Sequence, residues 1–302
     1  MQWIKHGLVF EPPGRLKWMA THAAVPTAYH VQGDLYRLYF TGRDELNRSR
    51  TGYIEVNIKH PQHPLGWSNE PVLELGDVGT FDEAGVMGSW IVNHANVLYF
   101  YYIGWNVGVS VPFRNAIGLA MSRDGGRTFT RYSRGPIMDR SIYDPCFVSN
   151  SCVLVEDHVW KMWYLSCVRW ASEGARLKHY YHIKYAESAD GVKWERTGIV
   201  CIDFRGKEEY AISRPCVIKD GGVYKMWYSY RGSHYRIGYA ESRDGIHWER
   251  KDEAAGIDVS ESGWDAEMIE YPFVFDHDGQ RYMLYNGNGY GKTGFGLAML
   301  QR

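Results

Sequence analysis

Short apolar runs with partial alternation recur along this chain, and they recur in one order. "YKMWYSY" at 224 is followed by "IGYAES" at 237 and "ESRDGIHWER" at 241, as "WKMWYLS" at 160 is by "IKYAES" at 183 and "ESADGVKWER" at 187. The first element recurs as "LYRLYFTG" at 35, "LYFYYIG" at 98 and "RYMLYNG" at 281; the second recurs as "TGYIEV" at 51, "IGLAMS" at 117 and "FGLAML" at 295. These segments are short, aromatic and β-branched, which predicts strands. Upstream lies a third element that often carries Pro: "AAVPTAY" at 23, "YDPCFVS" at 143, "SRPCVIK" at 213 and "EYPFVFD" at 270, with "GSWIVNH" at 88 filling the gap. Pro suits the start of a strand, where no ladder donor is lost.

Each unit therefore reads as an inner strand, two middle strands and an outer strand carrying Trp194, Trp248 or Phe129. The Asp-Gly between the third and fourth strands is a hairpin signal, because Gly tolerates positive φ and Asp caps the turn. Four-stranded units repeated around an axis make a β-propeller. The expectation is an all-β, five-bladed β-propeller with four-stranded blades, a single domain spanning residues 1–302. The last copy ends without a fourth strand, and the N-terminal "HGLVFEPPG" resembles the outer strand "ERTGIVCID". It is expected to complete the last blade and close the ring, leaving no open sheet edge. Trp194, Trp248 and Phe129 are then wedges between blades rather than a sugar platform.

"SRDGGRTF" at 122 fits the Asp-box turn of sialidase propellers, a structural motif. Over the whole chain, the five blades and the x-D-P and E-x-P strand starts resemble the five-bladed glycoside hydrolases of families 32, 43, 62, 68 and 130. That resemblance implies carboxylates at inner-strand starts facing a central funnel, since glycoside cleavage needs one protonated and one ionised carboxyl. It implies Asp144 as the x-D-P aspartate and Glu270 as the E-x-P acid, in the fifth copy rather than the fourth. The first copy departs from the pattern, with Val25 where the catalytic Asp belongs. The base must then come from His22, Asp82, Glu83, Glu209 or Glu267, or the chemistry differs.

Composition narrows the readings. A net charge of −1 gives no basic field to gather nucleic acid or an anionic membrane. Twelve Trp and 23 Tyr in 302 residues point to aromatic packing, or to a site that stacks on rings. The five Cys form no CxxC pair and read as reduced, buried thiols, with Cys146 and Cys216 in equivalent positions after Pro. "MQWIKHGLVFEPPG" has no long apolar segment, and the simplest expectation is a cytoplasmic protein.

Four carboxyls are candidates for catalysis: Asp144, Glu270, Glu267 and Glu209. For substrate binding they are His22, Arg214, Arg231, Trp105 and Asn286. Arg214 shares Asp144's register in the Pro alignment, and with Arg231 it would suit an acidic sugar or a phosphate, which guanidinium forks hold bidentately. Trp105 in "YYIGWN", Asn286 and Asn288 would line the rim, and the loop 104–116 would lean over the site. His179 and His182 lie in the longest insertion, 168–182, and form no metal set without a third ligand. No metal or cofactor is expected in catalysis, though a structural ion in the central channel is compatible. The leading function is a carbohydrate-active enzyme (glycosidase, transglycosidase or phosphorylase-like) on a small or oligosaccharide substrate, anionic sugars included. A non-hydrolytic enzyme on an acidic or activated sugar, a non-catalytic glycan-binding propeller and a protein-interaction propeller are the alternatives. Two carboxyls in the funnel would favour cleavage; two Arg and a His around one carboxyl would favour the non-hydrolytic enzyme.

Overall fold

The computed structural model describes residues 1–174 and 176–301, so position 175 of the expected insertion and position 302 lie outside the described residues. Five four-stranded antiparallel meanders follow one another. The first comprises Thr21–Gln32, Leu35–Arg43, Ser49–Asn57 and Gly66–Trp67, and the second Gly85–His94, Val97–Val107, Phe113–Ser122 and Thr130–Arg131. The third is Phe147–Glu156, Val159–Glu173, Arg176–Ser188 and Glu195–Ile202, and the fourth Ala211–Asp220, Val223–Arg231, Tyr235–Ser242 and Glu249–Arg250. Glu270–His277, Gln280–Asn286 and Phe295–Leu300 build the fifth, and Trp3–Phe10 closes it by pairing antiparallel with Phe295–Leu300. The first strand of each meander packs against its counterparts on both sides, and that of the fifth packs against that of the first, so the inner strands form a ring. This is the propeller expected from the repeats, with the N-terminal strand as its closure.

The repeated Asp-Gly turn joins blades through a hydrogen bond. Gly126, Gly191 and Gly245 hold positive φ, 84°, 72° and 78°, where a Cβ would be strained. Each carbonyl faces the preceding blade and accepts from an aromatic of its second strand: Tyr39 Oη at 2.6 Å, Tyr101 Oη at 2.8 Å and Trp163 Nε1 at 2.7 Å. The next aromatic in the series is Trp227. Its neighbouring outer strand is the N-terminal one, which has no such turn; its Nε1 is buried without a partner, and Trp3 packs edge-on at 6.0 Å.

A second repeated device ties four of the blades internally. Tyr102 and Arg131 both reach Asp82, at 3.0 and 2.8 Å. Tyr285 and Lys5 both reach Asp265, at 3.1 and 2.7 Å. In the fourth blade Tyr228 and Arg250 share Asp252. In the third, Tyr164 and Arg196 share Asp144. A second-strand tyrosine, an acid and an outer-strand base thus form one latch in each of four blades. The first blade has Phe40 in the tyrosine's place, and there the ring packs on Phe10 and Trp18 instead.

No cysteine is in a disulfide among the described residues; four are buried and Cys146 is half-buried. No helix is long and apolar enough to cross a membrane.

Candidate functional site

Every inner strand bulges as it passes the axis. The register skips between Ala24 and Thr27, Gly88 and Trp90, Ser149 and Ser151, Ser213 and Cys216, and Glu270 and Phe273. Val25, Arg214 and Tyr271 sit at these bulges with φ of 55°, 51° and 55°. Non-glycine residues reach that region only when their surroundings compel it, and such bulges re-aim side chains. Here the surroundings are specific. Asn286 Oδ1 accepts the Val25 amide at 2.8 Å while its Nδ2 donates to the Ala23 and Gly294 carbonyls at 2.8 Å. Ser229 Oγ accepts the Tyr271 amide at 2.8 Å.

At the mouth of this ring lies a cavity of about 330 Å³. All five inner strands reach it, through Val25, Met87, Ser149 and Asn150, Ser213, and Tyr271. Arg43 and Arg231 enter from the last residues of two second strands, in the first and fourth blades. Most of the expected loop 104–116 is strand, with Val97–Val107 and Phe113–Ser122 leaving only 108–112 between them. Phe113 and Asn115 of the latter strand form part of the wall, as does His179. Asn150 Nδ2, Ser213 Oγ and Arg231 Nε are buried there without a protein partner, so their bonding capacity is open to a ligand.

Glu270 stands directly behind this wall. It is wholly buried, and neither carboxylate oxygen has a hydrogen-bond partner of standard geometry. Burial drives its pKa well above the usual Glu range, and Arg231, Tyr271 and Arg43 pull it back only in part. Its position pairs with Asn286 as Ser213 pairs with Ser229 and Ser149 with Leu165, so it belongs to the ring position that lines the cavity elsewhere. His179 is shifted the opposite way: burial, and then Arg231, lower its pKa to about 4, and the ring stacks on Tyr181 at 5.0 Å. Burial thus favours the neutral form of both groups.

The other residues picked from the sequence lie elsewhere. Asp144 does not share Arg214's register. The third-blade bulge falls at Asn150, so "SNSC" rather than "YDPC" matches "SRPC", and Cys152, not Cys146, is the counterpart of Cys216. Asp144 precedes its strand and is held in the blade latch by Ser166 at 2.6 Å, Ser141 at 2.8 Å, Arg196 at 2.9 Å and Lys184 at 3.7 Å. Glu209 is clamped bidentately by Arg250, both contacts at 2.8 Å. Glu267 is exposed on the loop before the fifth blade, its amide bonded to Asn288 at 2.8 Å.

Arg214 does not line the cavity either. Its guanidinium crosses the ring from the fourth blade and donates to the Ser89 carbonyl, and to Pro26 O and Thr27 Oγ1 at 2.9 Å each. Trp90 and Phe273 flank it at 5.8 and 5.7 Å. Full burial lowers its pKa to about 10, so it remains a cation, and the charge at the ring centre is the protein's own. Trp105 lies over Gly85, where a Cβ would strike its indole, and Asn286 is spent on the closure of the ring; neither lines the cavity. His22 is half-buried beside Arg43, with a pKa lowered to about 4 by burial and then by Arg43 and Lys292. His182 turns away from His179 to Asp203, at 3.0 Å. Among the described residues the one cluster of metal-type donors is Asp34, His277 and Asp278, and Lys59 bridges both aspartates.

No family model matches the chain. Two uncharacterized proteins of Mycobacterium tuberculosis, Rv1502 of strain H37Rv and MT1551 of strain CDC 1551, are each 44% identical over 301 residues, covering 100% of this chain and 100% of the relative. Among solved structures, that of a BT0996 RGII complex superposes with a TM-score of 0.77 at 19% identity, over 99% of this chain and 91% of that one. A glycoside hydrolase gives the same TM-score at 20% identity and the same coverage. A thermostable family-43 glycoside hydrolase gives 0.62 at 16%, over 96% and 90%. At such identities the likeness is one of fold.

Proposed function

Because this chain belongs to the family of the mycobacterial proteins Rv1502 and MT1551, and folds as glycoside-hydrolase propellers do, we propose that it is a carbohydrate-active enzyme whose central cavity holds a sugar. The observation that carries this reading is the composition of the wall. Hydroxyl and amide groups of Ser149, Asn150, Ser213 and Asn115 converge with the rings of Phe113, Tyr235, Tyr271 and Tyr290 on one space. Polar groups for hydroxyls and flat rings for sugar faces are what a monosaccharide or short oligosaccharide needs, and the volume is at the small end of ligand sites.

The cavity wall favours a reaction other than double-carboxyl hydrolysis. That chemistry needs two carboxyls about 5–10 Å apart across the glycosidic bond. Among the described residues no Asp or Glu lines the cavity, Glu270 interacts with Arg231, Tyr271 and Arg43 of its wall, and Asp144 and Glu209 are committed to arginines. Groups whose surroundings push their pKa values apart take acid and base roles. On this reading His179, in the wall, is the proton acceptor, and Glu270, behind it, is the proton source that reaches the sugar through the wall groups it adjoins. This favours a non-hydrolytic transformation of a sugar.

Calorimetric titration of a panel of mono- and disaccharides tests the reading. At least one is expected to bind, and Asn115→Trp, which fills the cavity from a half-buried position, should abolish binding without lowering the melting temperature. Binding by no saccharide, or equal binding by the filled variant, overturns it.

A further inference from the structure

We propose that the ligand carries an oxyanion, a carboxylate or a phosphate, seated between Arg43 and Arg231; this rests on the assignment of a sugar to the same cavity. The two side chains enter from different blades, each as the final residue of a second strand, and line one space. Neither makes a salt bridge to any carboxylate among the described residues. The arginines of the blade latches are the contrast. Arg131, Arg196 and Arg250, which lie in the blade latches, are each paired with an acid at 2.7 to 2.9 Å.

What the two arginines do touch leaves most of their donors over. Arg43 Nη1 donates to Asn47 Oδ1 at 3.1 Å and Arg231 Nη1 to Tyr290 Oη at 2.6 Å. Arg231 Nε is buried without a partner, and three aromatic rings, Tyr210, Tyr235 and Tyr290, surround its guanidinium at 5.3 to 5.7 Å. A guanidinium has five N–H donors in a fork that matches carboxylate or phosphate oxygens. A half-buried cation without a counter-charge is costly, and a ligand anion removes that cost.

The carboxyl that could neutralise them is Glu270, and burial holds it in its neutral form. The charge of both arginines therefore remains directed at the cavity. The chain as a whole carries −1, so the positive site is local rather than part of a basic surface. His179, in the same wall, offers one more hydrogen bond.

Matched pairs decide the matter: glucose with glucuronate, galactose with galacturonate, and mannose with mannose 6-phosphate, with inorganic phosphate as a sugar-free probe. One acidic member should bind about tenfold or more tightly than its neutral partner, the gain expected of a charge-assisted hydrogen bond. Whether the uronate or the phosphate arm shows it identifies the anion. Arg231→Gln should erase the preference, and Arg43→Gln provides the same test from the other blade should the first variant melt early. Equal binding of acidic and neutral members overturns the anion and leaves the sugar reading standing. Binding of inorganic phosphate with no sugar supports the anion site and overturns the sugar reading. No binding by any probe overturns the anion proposal.

Discussion

Asp144 and Glu270 are both wholly buried carboxyls at the edge of the inner ring, and their surroundings are opposite. Asp144 receives hydroxyls from Ser141, Tyr164 and Ser166 and charge from Arg196 and Lys184. Glu270 receives no hydrogen bond of standard geometry, and its two arginines aim at the cavity beside it. A saturated acid holds a structure together; an unsatisfied one has its bonding capacity left for something else. Burial alone does not separate the two cases, and the partner inventory does.

The largest effect expected from breaking this contrast is at Asp144. Asp144→Asn keeps the shape but strips the counter-charge from Arg196 and Lys184. Removing one member of a buried ion pair costs about 3–5 kcal/mol. Urea unfolding should show the midpoint fall with an unchanged slope. A loss under about 1 kcal/mol would mean the latch is dispensable and would return Asp144 to the pool of functional candidates.

Glu270→Gln should act with the reverse sign. In the unfolded chain this carboxyl ionises in the ordinary Glu range; in the folded protein it stays protonated above it. Folding then takes up a proton, and the wild type loses about 1.4 kcal/mol per pH unit from the ordinary Glu range up to the folded pKa. Gln cannot ionise, so the variant escapes this loss. The melting-temperature gap between variant and wild type should widen in the variant's favour as pH rises from the ordinary Glu range, while turnover on the sugar substrate falls about 10²-fold or more. Parallel melting curves over that rise would show that Glu270 is ionised in the fold.

Much of the architecture was legible because a propeller writes its unit five times. The Asp-Gly turns, the "MWY" strands and the closing N-terminal strand each have counterparts along the chain that calibrate one another. The site lacked that help. Aligning on Pro misplaced the third blade, whose bulge carries Asn150 and Ser151 while its Pro145 lies ahead of the strand. Arg43, Tyr271 and Tyr290 carry no motif; they meet because second-strand ends and loops from separate blades converge at the axis. Glu270 was picked through the E-x-P resemblance, and the structure sets it in the recurring ring position. Its neutral state was not legible, since that depends on the walls around it.

The two arginines named from the sequence make a smaller but sharper pair. Arg214→Lys keeps a cation but cannot reach Ser89 O, Pro26 O and Thr27 Oγ1 together. Leaving one or two buried acceptors unmet costs about 1–3 kcal/mol, with no change in preference between acidic and neutral sugars. Arg231→Lys gives up one bond to an exposed tyrosine and should leave stability within about 0.5 kcal/mol while losing anion preference. Exchange of these two outcomes would place the ligand at the ring centre.

The smallest effect concerns acid. His179 carries a folded pKa of about 4 against an ordinary value of 6.5, through burial first and then the charge of Arg231. The unfolded chain therefore binds the proton first as pH falls. The stability tied to the neutral ring is complete above about pH 6.5, and it declines toward pH 4 as the unfolded state gains protons. His22, outside the cavity wall, has the same folded value and contributes in the same window, so His179→Gln should flatten the acid loss only in part. An anion bound at Arg231 would offset the second of His179's two causes and leave burial in place. The imidazole should then titrate slightly higher, followed by the ring-proton shifts of His179 with and without the acidic sugar. A titration point that stays put on saturation would separate the bound anion from Arg231 and break the link between this ring and the ligand.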